Sequence, residues 1–130
     1  MSVKILSVGQ CGADSRAISR TLSDRFSASV VSAHSADDAH RKAAAGGFAL
    51  VLINRVLDAD GSSGLDLVAA MVRAGGAPVM LVSDRADAQD AAVAVGAFRG
   101  FGKSALSWPE TAAVIERVLG LPGKNPTGKN

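Results

Sequence analysis

The run Phe48-Ala49-Leu50-Val51-Leu52-Ile53, followed at once by Asn54, decides the fold of this 130-residue chain. An apolar run without a charged residue is typical of a strand that is buried on both faces of a parallel sheet. The first polar side chain after such a strand lies at the carboxyl edge of the sheet, where open α/β folds place their chemistry. A carboxylate there can accept a phosphoryl group or hold a magnesium ion, whereas the amide of Asn54 does neither well.

Similar short apolar runs alternate with helical patterns along the rest of the chain, which indicates a parallel sheet with helices on both faces. The predicted strands are 3–8, 28–33, 48–53, 78–82 and 97–101, and the first four predicted helices are 14–26, 36–45, 64–74 and 86–95. Right-handed crossovers with one reversal of direction give the strand order 2-1-3-4-5. The predicted fold is therefore α/β: a single-domain, doubly wound, flavodoxin-like (βα)5 sheet over residues 1–120.

Capping signals mark the starts of two helices. Ser35 stands three residues before Asp38, which is the spacing of a capping box. In the last helix we expect Ser107 to be the N-cap, with Pro109 in the first turn and Glu110 at the third position. Beyond Leu121 no apolar residue can anchor the chain, so residues 121–130 are predicted to be a disordered tail or a linker.

Composition narrows the class of protein. Lys124 and Lys129 account for the net charge of +2, so residues 1–120 are neutral with interspersed charges, which argues against nucleic acid as a main partner. Cys11 is the only cysteine, so no disulfide can form within the chain. Neither a signal peptide nor a membrane-spanning segment is recognised. We therefore expect a cytoplasmic protein that does not bind membranes.

The carboxyl edge of the predicted sheet collects the residues that directly follow four of the five strands. They are Gly9, Gln10 and Cys11 after the first strand, Asn54, Arg55 and Val56 after the third, Ser83 and Asp84 after the fourth, and Lys103 after the fifth. These positions resemble the receiver domains of bacterial response regulators, and the resemblance covers about residues 3–120. Ser83 matches the hydroxyl residue and Lys103 the lysine that contact the phosphoryl oxygens in that family.

Every departure from the family falls on the chemistry. Gly9 and Gln10 replace the two acids that position magnesium, and Asn54 replaces the aspartate that takes a phosphoryl group from a histidine kinase. Ser104 replaces a proline that usually follows the lysine. Gly100 stands where the family often has a Tyr or Phe that rotates. The resemblance therefore implies a pseudo-receiver that acts in signal transduction without aspartyl phosphorylation.

The loss of acids also argues against a metal site. With Gln10 and Asn54 as the central groups, the pocket loses about three negative charges, each worth on the order of 1–3 kcal/mol in charge-assisted contacts. Lys103, if it points inward, repels a divalent cation. We expect no magnesium binding, no other cofactor or metal, and no enzymatic activity, because no nucleophile–base pair or acid cluster remains at the edge.

The resemblance implies that such a module works by binding a protein: a histidine kinase, an output domain or a second copy of the chain. Receivers commonly bind partners through the fourth helix, fifth strand and fifth helix. The candidate contact residues there are Phe98, Arg99, Phe101 and Trp108. Trp108 is interpreted either as a hydrophobic staple of the last helix or as an exposed anchor for a partner.

Two alternative functions stay open. One is a phosphorylatable receiver of a two-component phosphorelay with a displaced acceptor, Asp58 or Asp60, although acids in such a Gly- and Ser-rich loop are more often solvated. The other is a domain that binds a small anion or metabolite through Lys103, Ser83 and the turn at Gly9.

Several side chains near the edge have simpler interpretations. Asn54 is expected to bond Lys103 or Ser83 and fix the loops. Lys103 is expected to pair with Asp84, or else with Asp14 at the start of the first helix. Cys11 is interpreted as a plain loop thiol, because no base or second cysteine adjoins it. His34 and His40 lack metal-ligand spacing and are predicted to lie on the surface.

Overall fold

The computed structural model describes residues 3–120, in which helices cover both faces of a five-stranded parallel sheet. The strands are β1 (Lys4–Val8), β2 (Ser29–Ala33), β3 (Phe48–Asn54), β4 (Val79–Val82) and β5 (Phe98–Phe101). The helices are α1 (Gly12–Phe26), α2 (Ala36–Ala44), α3 (Gly64–Ala74), α4 (Ala86–Ala94) and α5 (Pro109–Leu119), and a short 3-10 turn spans Lys103–Ala105. The strand order β2-β1-β3-β4-β5 confirms the predicted flavodoxin-like sheet. The predicted tail, 121–130, lies outside the described residues.

The sheet is buried on both faces, which explains the continuous apolar run of β3. Successive side chains of a strand point to opposite faces. Val51 and Ile53 therefore pack with α2, α3 and α4, whereas Leu50 and Leu52 pack with α1 and α5. The central strand consequently places Asn54, its last residue, at the carboxyl edge of the sheet.

The two predicted helix caps have different outcomes. Ser35 is the N-cap of α2, and its hydroxyl accepts a hydrogen bond from the backbone N–H of Asp38 at 3.1 Å. The prediction that Ser107 caps α5 is wrong, because α5 begins at Pro109 and its N-cap is Trp108. The residue before a proline is forced into extended backbone, and Trp108 accordingly has ψ 143°.

The pairing of β4 with β5 contains a bulge. Met80 pairs with Phe98 and Val82 pairs with Phe101, so Arg99 and Gly100 together stand opposite Leu81. A bulge bends its strand and re-aims the side chains beside it. The side chains of this edge strand therefore cannot be assigned to faces by simple alternation.

Within residues 3–120, none of the helices has the length and apolar character needed to cross a membrane.

Candidate functional site

One cavity opens at the carboxyl edge of the sheet, where β3, β4 and the turn after β5 meet. Its volume is about 370 Å³, and it is lined by Asn54, Arg55, Val56, Val82, Ser83, Asp84, Arg85 and Lys103. The structure thus brings together Asn54, Ser83 and Lys103, as the sequence predicts. Gly9 and Gln10 are not among the lining residues.

Asn54 is half-buried, and its side-chain amide links two loops. Its Nδ2 donates to the carbonyl oxygen of Gly9 at 3.2 Å and to that of Val56 at 2.7 Å. The expected bonds to Lys103 or Ser83 are absent among the hydrogen bonds of residues 3–120, so that part of the prediction is wrong. The predicted role in fixing the loops is confirmed. Both partners are acceptors, so a carboxylate at this position could make neither bond at neutral pH.

The two residues that replace the acidic pair do not reach into the cavity. Gly9 has φ 78°, and a Cβ added there would lie 2.5 Å from Leu57 Cδ2 and 2.9 Å from Leu57 Cα. No side chain fits that backbone without rearrangement. Gln10 is only 2% exposed, and its Oε1 has no hydrogen-bond partner within residues 3–120. The end of β1 therefore supplies no side-chain oxygen to a metal in the cavity.

Lys103 forms an ion pair with Asp14 rather than with Asp84, so the first of the two predicted partners is wrong. Lys103 Nζ lies 2.7 Å from Asp14 Oδ2, and both side chains are about one-third exposed, at 38% and 33%. The hydrogen bond from Lys103 is the largest cause that lowers the pKa of Asp14, followed by that from Cys11. The Sγ of Cys11 donates to the same oxygen at 3.2 Å.

Asp84 does not pair with Lys103 because its carboxylate already bonds to Ser104, the residue that follows Lys103. Its Oδ1 accepts from the hydroxyl of Ser104 at 2.6 Å and from the backbone N–H of Ser104 at 3.4 Å. The approach depends on Gly102, since a Cβ there would lie 1.7 Å from Asp84 Oδ1. Local backbone contact therefore decides this pairing, rather than charge alone.

Ser83 and the two arginines define the rest of the cavity wall. The Oγ of Ser83 accepts from the backbone N–H of Arg85 at 3.1 Å, which leaves its own proton free to donate. The guanidinium of Arg85 makes two hydrogen bonds to Asp87. Arg55 has no side-chain hydrogen bond or ion pair within residues 3–120. Three cationic side chains therefore line the cavity with one acid, Asp84. Binding of a small anion requires such an excess of positive charge.

The loop acids do not join this cavity. Asp60 Oδ1 accepts from the backbone N–H of Ser62 at 3.0 Å, and the hydrogen bonds from Ser62 lower the pKa of Asp60. Asp58 is exposed, and its Oδ1 lies 3.5 Å from Nδ1 of His34. Neither acid lines the cavity beside Ser83 and Lys103. Both are therefore surface residues of the loop between β3 and α3.

Two smaller predictions concern the cysteine and the histidines. His34 and His40 are exposed, as predicted. Cys11 is a free, exposed thiol in the loop before α1, as interpreted from the sequence, and it is also the N-cap of that helix. Within residues 3–120, no three residues of the His, Cys, Asp and Glu types lie close enough together to hold a metal ion.

The candidate contact residues differ in the exposed fraction of their side chains. Phe98 is 52% exposed and Trp108 is 54% exposed, whereas Phe101 is 6% exposed and packs with α1 and α5. The prediction that Phe101 belongs to a partner surface is therefore wrong, because its side chain is buried in the core between the sheet and the helices α1 and α5. A staple residue precedes the N-cap; Trp108 is itself the N-cap and is exposed, so the staple interpretation is wrong too.

The sequence alone did not identify three further features. Val93 and Val95 are exposed at the carboxyl end of α4, and Gln89 is a buried polar residue of the same helix. The sequence did contain an indication that Gln89 is buried, because Gln89 lies on the same face of the helix as the small residues Ala88 and Ala92. A polar residue on a buried face requires hydrogen-bond partners.

Comparison with known proteins identifies the fold. No protein-family model and no curated protein matches the chain. NtrX from Brucella abortus matches 92% of this chain at 23% identity with a TM-score of 0.73, and the match spans 28% of the NtrX chain. A response regulator from Burkholderia pseudomallei matches 90% of this chain at 22% identity with a TM-score of 0.69, over 66% of its own length.

A putative response regulator from Chloroflexus aurantiacus is similar over nearly its whole length. The match covers 92% of this chain and 98% of that chain, at 15% identity and a TM-score of 0.76. Identities this low establish structure rather than activity. Residues 3–120 therefore have the fold of response regulator receiver domains.

Proposed function

We propose that this chain is a pseudo-receiver, a signalling module that binds a protein partner and is not phosphorylated at the edge of its sheet. The observation that carries the proposal is the side chain of Asn54, because both of its amide hydrogen bonds go to backbone carbonyls. A side chain engaged as a donor cannot also be the anionic oxygen that attacks a phosphoryl group. The regulator from Burkholderia pseudomallei was crystallised with a phosphorylated aspartic acid and a calcium ion.

The charges around the cavity argue against a magnesium site. Arg55, Arg85 and Lys103 line the cavity, and Asp84 is the one acid among the lining residues. Magnesium requires anionic oxygens in near-octahedral geometry and gives up its water reluctantly. A cavity with this excess of positive charge disfavours a divalent cation, so neither a metal nor another cofactor is part of the proposed function.

The cavity also offers little support for an enzyme. Ser83 carries the one hydroxyl among the lining residues, and its Oγ accepts from the N–H of Arg85. The adjacent carboxylate of Asp84 bonds to Ser104 instead. A nucleophilic hydroxyl needs a base in hydrogen-bond contact to take its proton. The proposed function is therefore binding rather than catalysis.

The proposed contact surface, which we call the β5 face, comprises Val93, Val95 and Phe98 with Val114 and Val118 of α5. The first three are more than two-fifths exposed, although large apolar side chains usually avoid water. A cavity of about 550 Å³ lies beside Phe98 and is lined by Pro78, Phe98, Arg99, Gly100, Val114, Arg117 and Val118. Two arginines beside an apolar cavity fit a partner that inserts an apolar side chain flanked by carboxylates.

The phosphorylation half of the proposal is tested by incubation with acetyl phosphate and magnesium, followed by intact mass spectrometry. We expect no gain of a phosphoryl group, because the cavity holds neither an acceptor carboxylate nor a magnesium site. A gain that disappears in Asp58→Asn or Asp60→Asn would contradict the proposal and establish the displaced-acceptor alternative.

The binding half is tested by replacing Phe98. We expect Phe98→Asp to abolish co-purification of a partner from the cells of origin, because a carboxylate on the β5 face opposes both apolar and acidic contacts. Val56→Asp is the matched control, since Val56 is 41% exposed but lies at the sheet-edge cavity. Equal loss of the partner in both variants would contradict the β5 face. A second copy of the chain as the partner would appear as concentration-dependent self-association.

A further inference from the structure

The bulge in β5 leaves backbone groups that the neighbouring strand cannot satisfy. Opposite Leu81, the strand places Arg99 and Gly100 where regular pairing would place one residue. The extra residue interrupts the ladder of hydrogen bonds. Buried backbone N–H and C=O groups without a partner cost free energy, so another part of the molecule must bond them.

The side chain of Gln89 satisfies these groups. Gln89 is 5% exposed, and its Nε2 donates to the carbonyl oxygens of Leu81 at 2.9 Å and Ser83 at 3.1 Å. Its Oε1 accepts from the backbone N–H of Gly100 at 2.9 Å. Both amide protons and the oxygen are therefore used. One buried side chain of α4 joins the end of β4 to the middle of β5.

Gly100 makes this arrangement possible. A Cβ at Gly100 would lie 2.1 Å from the carbonyl oxygen of Leu81, so no side chain can be placed there without moving the backbone. The resemblance to receivers places a rotating aromatic side chain at this position. Here the space holds main chain, and the amide of Gln89 bridges the two strands.

The bulge determines which face of the sheet Phe98 occupies. Residues 98 and 101 are three apart, so in a regular strand their side chains would point to opposite faces. Instead Phe98 pairs with Met80 and Phe101 pairs with Val82, and Met80, Val82 and Phe101 all pack on the side of α1 and α5. Phe98 accordingly lines the cavity with Val114 and Val118 of α5.

Removal of the bulge would reverse this placement. If Val82 stayed opposite Phe101 in regular pairing, Arg99 would take the place opposite Met80. Phe98 would then move to the other face of the sheet, because a shift of one residue exchanges the two faces. The β5 face would lose its central aromatic side chain.

We infer that Gln89 is the positioning residue of the β5 face: its amide holds the bulge and so keeps Phe98 displayed beside α5 in a single arrangement. The importance of that display rests on the proposed function, in which the β5 face binds the partner. The face is then presented continuously, without a phosphorylation event to form it. Gln89 touches no partner itself and acts through the geometry of β5.

The inference is tested with Gln89→Glu and Gln89→Met in the full chain. Neither side chain can donate to two carbonyls at neutral pH, so the carbonyl oxygens of Leu81 and Ser83 lose the hydrogen bonds that join α4 to the end of β4, and in the acidic variant they face a carboxylate. We expect hydrogen exchange at the Gly100 amide, measured by NMR, to become at least about tenfold faster, while amides of β1 and β3 change less. We also expect the NOEs between the Phe98 ring and the methyl groups of Val114 and Val118 to weaken, which a merely structural role would not require.

Gln89→Glu allows a second test, because protection of the Gly100 amide in this variant should depend on pH. Burial among carbonyl oxygens raises the pKa of the introduced carboxyl group above its ordinary value. The protonated form can donate to one carbonyl and still accept from Gly100, whereas the ionised form is repelled by the carbonyl oxygens of Leu81 and Ser83. Protection of Gly100 should therefore be present at low pH and lost as the pH rises through the raised pKa.

The charged groups around this position take part in other contacts. Arg99 of β5 pairs with Asp90 of α4, Arg85 bonds Asp87, and Asp84 bonds Ser104. The wild-type protein carries the same charged groups. Its Gly100 protection at each pH is therefore the reference for the variant.

Gln10→Glu is the matched control, because Gln10 is the other buried glutamine of residues 3–120 and makes no hydrogen bond to β5. Selective loss of Gly100 protection in both Gln89 variants, but not in the control, supports the inference. Unchanged protection, or equal loss in the control, overturns it and leaves the proposed function intact. Phosphorylation of the wild-type chain would overturn the proposed function but not the role of Gln89 in the bulge.

Discussion

Gly64→Ala should prevent folding or lower the free energy of unfolding by more than about 4 kcal/mol, an exceptional cost for a single methyl group. A Cβ at Gly64 would lie 1.8 Å from the carbonyl oxygen of Asn54 and 2.9 Å from that of Arg55. Both obstacles are backbone atoms of the end of β3, so no rotamer change can relieve the collision. The N–H of Gly64 also donates to the carbonyl of Arg55 at 2.7 Å, and movement would break that bond.

Urea denaturation followed by circular dichroism measures this effect, and Gly76→Ala is the matched control. A Cβ at Gly76 meets no atom within 4 Å, and its backbone is not left-handed. The control should stay within about 0.5 kcal/mol of the wild-type protein. Equal stability of the two variants would show that α3 does not begin against the end of β3.

The position of Gly64 matters for the candidate site because it closes the loop after β3. The start of α3 lies directly on the exit of β3, and Val56 forms an isolated bridge with Ser63. The loop between them is thereby folded back, and Arg55 and Val56 are held at the cavity. A glycine before an apolar helix was visible in the sequence, but its contact with Asn54 was not.

The sequence predicts those parts of the fold that depend on local pattern. The apolar run of β3 and the helical spacing of α3 predicted both elements within one residue of their observed bounds, 48–54 and 64–74. Burial on both faces of β3 leaves one consistent placement for these residues, and the order of strands then follows from crossover handedness. Asn54, Ser83 and Lys103 meet at one cavity because topology alone brings those strand ends together.

The parts that the sequence does not predict depend on small backbone shifts between distant elements. Phe98 and Phe101 are both phenylalanines of β5, and the bulge opposite Leu81 places both on the side of α1 and α5, yet Phe98 is exposed and Phe101 is buried. Lys103 pairs with Asp14 rather than Asp84 because Gly102 brings Asp84 close to Ser104. Neither outcome has a periodic signal, since the first depends on an extra residue in β5 and the second on a close approach at a glycine.

Asn54→Asp should lower the free energy of unfolding by about 2–3 kcal/mol at neutral pH, although it restores the carboxylate that the receiver family carries. The change removes the donor that bonds the carbonyls of Gly9 and Val56, and it turns an anionic oxygen toward both. These carbonyls raise the pKa of the introduced carboxyl group, since they disfavour its charged form. Lys103 compensates little, because it already pairs with Asp14.

The sign of the pH dependence follows from the raised pKa. Below the ordinary value of about 3.9 the introduced group is neutral in both states, and the variant should approach the stability of the wild-type protein. As the pH rises through the raised pKa the deficit should grow to its full size. Thermal unfolding of both proteins at pH 4 and pH 7 measures this difference, and equal deficits at both values would contradict the assigned hydrogen bonds.

Incubation of the variant with acetyl phosphate and magnesium should add no phosphoryl group, because Gly9 and Gln10 still supply no carboxylate. A phosphorylated variant would show that Asn54 alone silences the site.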